Sequence, residues 1–225
     1  MMVARYTLIA FFLCLIHPAW AGESVRWSTA FPPVPDEHGF AGPFAGVIGT
    51  GEDRWLLVGG GANFPDGAPW EIDEAGNRPA KIWHDALYAI RLKADRLEAA
   101  GAWTKLSQTL PEKLGYGASV SLPARGSALF IGGNRVEDGD MVHVQSVYEI
   151  TRENGAFQFM KVADLPVGLS SLGAAAIGQD VYVVSGEGEQ GSVEGAWVLR
   201  TEASDNQRWA WEPVAWPESG PGVKA

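Results

Sequence analysis

Arg54-Trp55-Leu56-Leu57-Val58-Gly59-Gly60-Gly61-Ala62-Asn63-Phe64 is an apolar strand that runs straight into three glycines. A strand that must stop against a neighbouring backbone has no room for Cβ atoms and turns through positive φ; glycine meets both demands. The pattern returns in weaker form at Leu129-Phe130-Ile131-Gly132-Gly133-Asn134 and at Val181-Tyr182-Val183-Val184-Ser185-Gly186. Three copies of one strand-plus-glycine unit mark a repeat protein.

The same order of segments surrounds each copy. A small-residue segment comes first: Phe44-Ala45-Gly46-Val47-Ile48, then Gly117-Ala118-Ser119-Val120, then Gly173-Ala174-Ala175-Ala176-Ile177. An aromatic-bearing segment follows the glycines, holding Tyr88, Tyr148 and Trp197 in turn, and a last segment carries Trp103, Phe159 or Trp211. The third and fourth aromatics are separated by 15, 11 and 14 residues. Four strands in roughly 50–70 residues is a propeller blade near the kelch period. Small residues suit the innermost strand, where blades converge on an axis, and bulky rings fill the wider gaps further out.

The expected fold is therefore all-β: a kelch-type β-propeller with four-stranded blades at about 42–106, 115–160 and 170–212. A β-sandwich with a chance glycine pattern is the alternative. Propellers close with about four to eight blades, so three are expected to be part of a larger, six-bladed ring in a truncated chain. Trp27 reads as an outer strand without inner strands before it, and Trp216-Pro217 as the lead-in to a further blade. Two insertions, residues 65–82 and 134–143, both join a second strand to a third, which places them on one face.

Net charge is −10 with no basic run, which argues against a nucleic-acid partner. Residues 1–21 read as a secretory signal: Arg5 supplies the positive end, Tyr6 to Ile16 is apolar, and Ala19-Trp20-Ala21 offers a small-x-small cleavage site. That run is too short to span a bilayer, which needs about 20 residues. The single Cys14 lies within it and would leave with it. The expected product is periplasmic, free of the membrane after cleavage and without disulfides; its oligomeric state is left open.

Gly59 to Gly67, then Pro69-Trp70, followed by Lys81-Ile82-Trp83-His84-Asp85 and Leu87-Tyr88, resemble the cyclically permuted branch of the N-acetylneuraminate epimerase (sialic acid mutarotase) family. The bare Gly-Gly copies are common to kelch proteins; the Gly-Gly-Ala-Asn-Phe-Pro to Trp-His-Asp pairing is the specific part. Ala86 departs from the family, which often carries a second acid there. The resemblance implies a six-bladed periplasmic propeller that interconverts the anomers of sialic acid, a small-molecule sugar, without metal or cofactor. Such chemistry needs a base for the anomeric hydroxyl, an acid for the ring oxygen and a cation for the carboxylate, ideally arginine. In the family a Glu after a strand-ending Gly and an Arg six residues later are assigned this work. Gly186-Glu187 matches the first half, which makes Glu187 the catalytic candidate, but the sixth residue on is Val193. By blade order that motif is expected in a blade beyond residue 225.

Other candidates for substrate binding are read from position. Asn63 and Asp66 follow the first glycines and suit either sugar hydroxyls or an Asx-turn that holds the loop. Trp70 could stack on a sugar face or anchor its loop. His84 and Asp85 suit an acid–base pair, or a hydrogen-bonded strand residue and a turn cap; no third ligand lies at a metal spacing. Arg135 is the best-placed local cation for a carboxylate, or else a partner for Glu137 or Asp138. Tyr116 is placed to face the axis or to pack. Sialidase boxes are missing from the sequence, and a copper-radical propeller would need a cysteine that the mature chain lacks. A non-catalytic kelch module that binds carbohydrate or protein remains the competing function.

Overall fold

The computed structural model describes residues 31–94, 97–201 and 209–215. The expected signal, Trp27 and Trp216-Pro217 lie outside the described residues. The strands are β1 (Phe44–Ile48), β2 (Trp55–Gly59), β3 (Ala62–Asn63), β4 (Ile82–Trp83), β5 (Ala86–Arg91) and β6 (Thr104–Thr109) in the first unit. The second unit holds β7 (Ala118–Leu122), β8 (Ser127–Ile131), β9 (Asn134–Glu137), β10 (Asp140–His143), β11 (Val147–Glu153) and β12 (Ala156–Lys161). The third holds β13 (Gly173–Ile177), β14 (Asp180–Gly188), β15 (Gly191–Leu199) and β16 (Trp211–Val214).

Besides the two-stranded ribbons β3-β4 and β9-β10 in the first two units, each unit contains one four-stranded antiparallel sheet: β1-β2-β5-β6, β7-β8-β11-β12 and β13-β14-β15-β16 in turn. These are three successive blades of a kelch-type β-propeller, arranged as an open arc. β1 lies beside β7, and β7 beside β13, so the small-residue strands converge. A Cβ on Gly46 would sit 2.5 Å from that of Ala128, which is why the first inner strand carries glycine there.

Side chains alternate along each strand, so every blade has two apolar faces. Phe44, Leu57, Leu87 and Ala89 of the first blade pack on Ala128, Phe130, Tyr148, Ile150 and Phe157 of the second. Phe44 and Phe130 stack with ring centroids 5.0 Å apart. Leu129, Ile131 and Val147, on the second blade's other face, pack on Val181, Val183 and Leu199 of the third. Burying each such side chain contributes about 1.5–3 kcal/mol, and these two interfaces form the core.

Polar contacts lock the same interfaces. The amides of Ala45 and Val47 on β1 donate to the hydroxyls of Ser119 (3.0 Å) and Ser121 (2.9 Å) on β7. Gly61 N–H donates to Leu114 C=O at 2.7 Å, and Gly133 N–H to Leu169 C=O at 2.8 Å. Both acceptors belong to the lead-in of the next blade. A Cβ on Gly60 or Gly132, where φ is +67° and +60°, would stand 2.5 Å from those same carbonyl oxygens. The glycines after β2 and β8 are there because the next blade touches their backbone. Ser185 occupies the matching place in the third blade with φ 47°, at a β-bulge between Val184 and Gly186.

The outer aromatics pin the connectors. Trp103 Nε1 donates to Pro32 C=O at 2.7 Å, and Trp211 Nε1 to Ala163 C=O at 3.0 Å. The insertion at residues 134–143 is the hairpin β9–β10, whose turn places Asp138 at φ 52° and Gly139 at φ 94°. Positive φ at both central residues matches the twist of paired strands. Only 65–82 remains long and mostly irregular, closed at its base by β3 and β4.

Candidate functional site

The lead-ins to the three inner strands form a continuous backbone rim. Gly42, Tyr116 and Ser171 share a left-handed conformation with φ 61°, 60° and 52°. Tyr116 N–H donates to Gly42 C=O at 2.8 Å, and Ser171 N–H to Tyr116 C=O at 2.7 Å, so the rim crosses from blade to blade. One residue earlier, each lead-in pairs with the residue that follows the strand-ending glycine. The pairs are Ala41 with Ala62, Gly115 with Asn134, and Ser170 with Glu187. Ala62, Asn134 and Glu187 are thus structural equivalents.

Asn134 is the hub of a hydrogen-bond chain. Its Oδ1 accepts from Trp83 Nε1 at 3.0 Å, and its Nδ2 donates to Ser170 Oγ at 3.3 Å and towards Met141 Sδ at 3.4 Å. Ser170 Oγ, which accepts from Asn134, also shares a hydrogen bond with His143 Nδ1 at 3.0 Å. Asn134 and Ser170 are buried, so this chain is what satisfies their polar atoms.

A second pair lies in the first blade. Asn63 Nδ2 donates to Gly39 C=O at 2.9 Å, which turns Asn63 Oδ1 towards His84 Nε2 at 2.7 Å. His84 must donate from Nε2, leaving Nδ1 as its acceptor. Burial holds the imidazole below its ordinary pKa, against the opposing pull of the Asp36 charge, so His84 is neutral. Phe40 packs edge-on against it at 5.3 Å.

Lys81, at the foot of the long loop, sets its ammonium 4.1 Å from the ring centroid of Tyr116 and 4.9 Å from that of Trp83. Cations are attracted to the negative faces of aromatic rings at such distances.

The residues expected from the sequence are dispersed around this rim. Asn63 and His84 meet each other. Asp85 follows directly, and its carbonyl accepts from Leu110 N–H at 2.8 Å. Asp66 is exposed and, with Glu71, Asp73, Asn77 and Arg78, lines an open cavity of about 530 Å³ inside the long loop. Asp73 does the turn work there: its Oδ1 accepts from the amides of Asn77 (2.7 Å) and Ala75 (2.9 Å), and these bonds keep its carboxyl below the usual range. Trp70 is 76% exposed, so it does not anchor the loop. Glu187 is also exposed and sits opposite Ser192 near the tip of the third blade's hairpin.

Arg135 lies between two protein carboxylates, Glu112 and Glu137, the latter at 3.0 Å. Glu112 also accepts from Ser146 Oγ at 2.8 Å and Tyr148 OH at 2.6 Å. Burial, then this bond, push the Tyr148 phenol far above its ordinary pKa. Sequence proximity points to Glu137 as a partner of Arg135, but it carries no sign of Glu112 or of the roles of Trp83, Ser170, His143 and Lys81. Among the described residues no three His, Cys, Asp or Glu side chains converge as metal ligands.

The fold and rim together define an arc of a kelch-type β-propeller with a polar, partly aromatic strand-end face. Over 150 residues the chain is 33% identical to the N-acetylneuraminate epimerase of Yersinia enterocolitica, covering 60% of this chain and 33% of that protein. It is 31% identical over 147 residues to the protein of the same name from Salmonella enteritidis, again over 60% of this chain. The chain is thus a relative of proteins named N-acetylneuraminate epimerase and spans about a third of the length of those it matches. Among solved structures, that of YjhT superimposes with a TM-score of 0.51 at 15% identity, over 80% of this chain and 47% of that one, a likeness of fold. No family model matches the chain.

Proposed function

We propose that this chain carries part of the sugar-handling face of a mutarotase or epimerase for N-acetylneuraminate or a related sugar. A base takes the proton of the anomeric hydroxyl, its electron pair becomes a carbonyl, and the bond from the anomeric carbon to the ring oxygen breaks. An acid gives that oxygen a proton, and reclosure on the other face of the carbonyl produces the second anomer. The residues do this as proton carriers, and no redox or metal step enters. Glu187 is the exposed carboxylate at the strand-end rim and is given the acid–base role; neutral His84, with Nδ1 free to accept, belongs to the binding surface with Asn63, Asp66 and Trp70. The observation that carries the reading is the similarity to the named epimerases over 60% of the chain.

The test is the approach of freshly dissolved N-acetylneuraminate to its anomeric equilibrium, followed by NMR. The protein should accelerate it above the spontaneous rate, and Glu187→Gln should slow the catalysed rate at least about 10²-fold. A rate equal to the spontaneous one would end the enzyme reading. A second reading, a non-catalytic module that binds carbohydrate or protein, is favoured by Val193 standing where the family pattern has Arg and by the engagement of Arg135 with Glu112 and Glu137. It predicts sugar binding without acceleration. We place the protein in the periplasm; the exported product should begin at Gly22 on N-terminal sequencing.

A further inference from the structure

We infer that Lys81, and not Arg135, is the cation that receives the carboxylate of an acidic sugar at this rim, an inference that rests on the sugar-binding reading above. Arg135 is already neutralised by Glu112 and Glu137. Arg125 is paired with Glu149 at 3.2 Å, and Arg152 with Asp53 at 3.1 Å. Arg78 donates to Pro69 C=O within the long loop. Lys81 is half-buried, and among the described residues its ammonium meets two ring faces and no carboxylate.

Those two rings are fixed from behind. Trp83 is buried and held through its Nε1 by Asn134, which Ser170 holds in turn. Tyr116 is clamped by its backbone, whose amide donates to Gly42 and whose carbonyl accepts from Ser171. The charge therefore stands on a rigid platform. Aromatic faces strip part of its water shell yet leave its N–H bonds able to donate, which strengthens a charge-assisted bond to an arriving anion. Ser170, beside the Ser171 that bonds Tyr116, is paired through its backbone with Glu187. Cation and exposed carboxylate thus belong to one rim, tied by two backbone links. In a chain of net charge −10, an anionic ligand needs such a local cation.

The experiment compares binding of N-acetylneuraminate with binding of its methyl ester, in which the carboxylate charge is replaced by a neutral ester one methyl group larger. Titration calorimetry is run on wild type, Lys81→Gln, Lys81→Arg and Arg135→Gln, with melting curves to confirm that each is folded. Wild type should prefer the acid at least about tenfold. Lys81→Gln should erase that preference by weakening the acid alone, Lys81→Arg should keep most of it, and Arg135→Gln should leave it unchanged. Equal binding of acid and ester by wild type, or an undiminished preference in Lys81→Gln, overturns the inference while the sugar reading stands. If wild type binds neither sugar, both fall together.

Discussion

At the scale of single residues, Asn134 holds the site together. Its amide satisfies the Trp83 indole and the Ser170 hydroxyl at once, inside a buried setting. Asn134→Ala strands the Trp83 indole and takes from Ser170 one of its two partners, the other being His143, and a buried polar group left without a partner costs about 1–3 kcal/mol. We expect urea denaturation to show a loss of roughly 2–4 kcal/mol for Asn134→Ala, and a smaller one for Ser170→Ala, which leaves the Trp83–Asn134 bond intact. His84 adds a pH dependence. Its folded pKa lies below the unfolded value, so the folded state resists protonation and the unfolded state takes it up. That contribution to stability is complete above about pH 6.5 and is lost as pH falls through the lower folded pKa. A His84→Asn variant, melted at pH 7.5 and at pH 5, should lose less stability between the two than wild type does.

At the scale of the strand, the column Gly60, Gly132, Ser185 shares one conformational need. All three places turn through positive φ, and at Gly60 and Gly132 a built Cβ would stand 2.5 Å from a carbonyl of the following blade. Gly132→Ala must therefore push the third blade's lead-in away as well as strain its own backbone. We expect a loss of more than about 2 kcal/mol, and with it the bond from Gly133 to Leu169. Ser185→Gly should act in the opposite direction, because φ 47° costs a side-chain-bearing residue about 1 kcal/mol that glycine does not incur. Thermal melts of the two variants should move apart from wild type in opposite senses.

At the scale of the whole molecule, adhesion between blades decides the behaviour. Ser119 and Ser121 accept amide protons from the neighbouring inner strand, so the double change to alanine should weaken the first interface by roughly 0.5–1.5 kcal/mol per bond. The third blade's outward face carries Ile177 at 65% exposure and, on the same side, Val184 at 39%. An exposed apolar sheet face invites association. Sedimentation over a range of concentrations should show self-association that falls when Ile177→Lys and Val184→Thr are combined; a wild type that stays monomeric at all concentrations would exclude this role for the face.

The blade pattern was legible in the order of residues because it rests on local requirements. Alternation of side chains, positive φ after a strand and the preference of rings for wide gaps are properties of a few consecutive positions, and they fixed three four-stranded units. The partners of the site residues were not legible in this way. Trp83 finds Asn134 51 residues further on, Arg135 finds Glu112 23 residues back, and Lys81 finds the ring of a residue in the next blade. Such pairings follow from how one sheet packs on the next, and sequence spacing carries no record of that. Sequence therefore set the strands, the turns and the inner-to-outer gradient of side-chain size. Packing of blade on blade decided which charges meet carboxylates, as Arg135 does, and which meet ring faces, as Lys81 does.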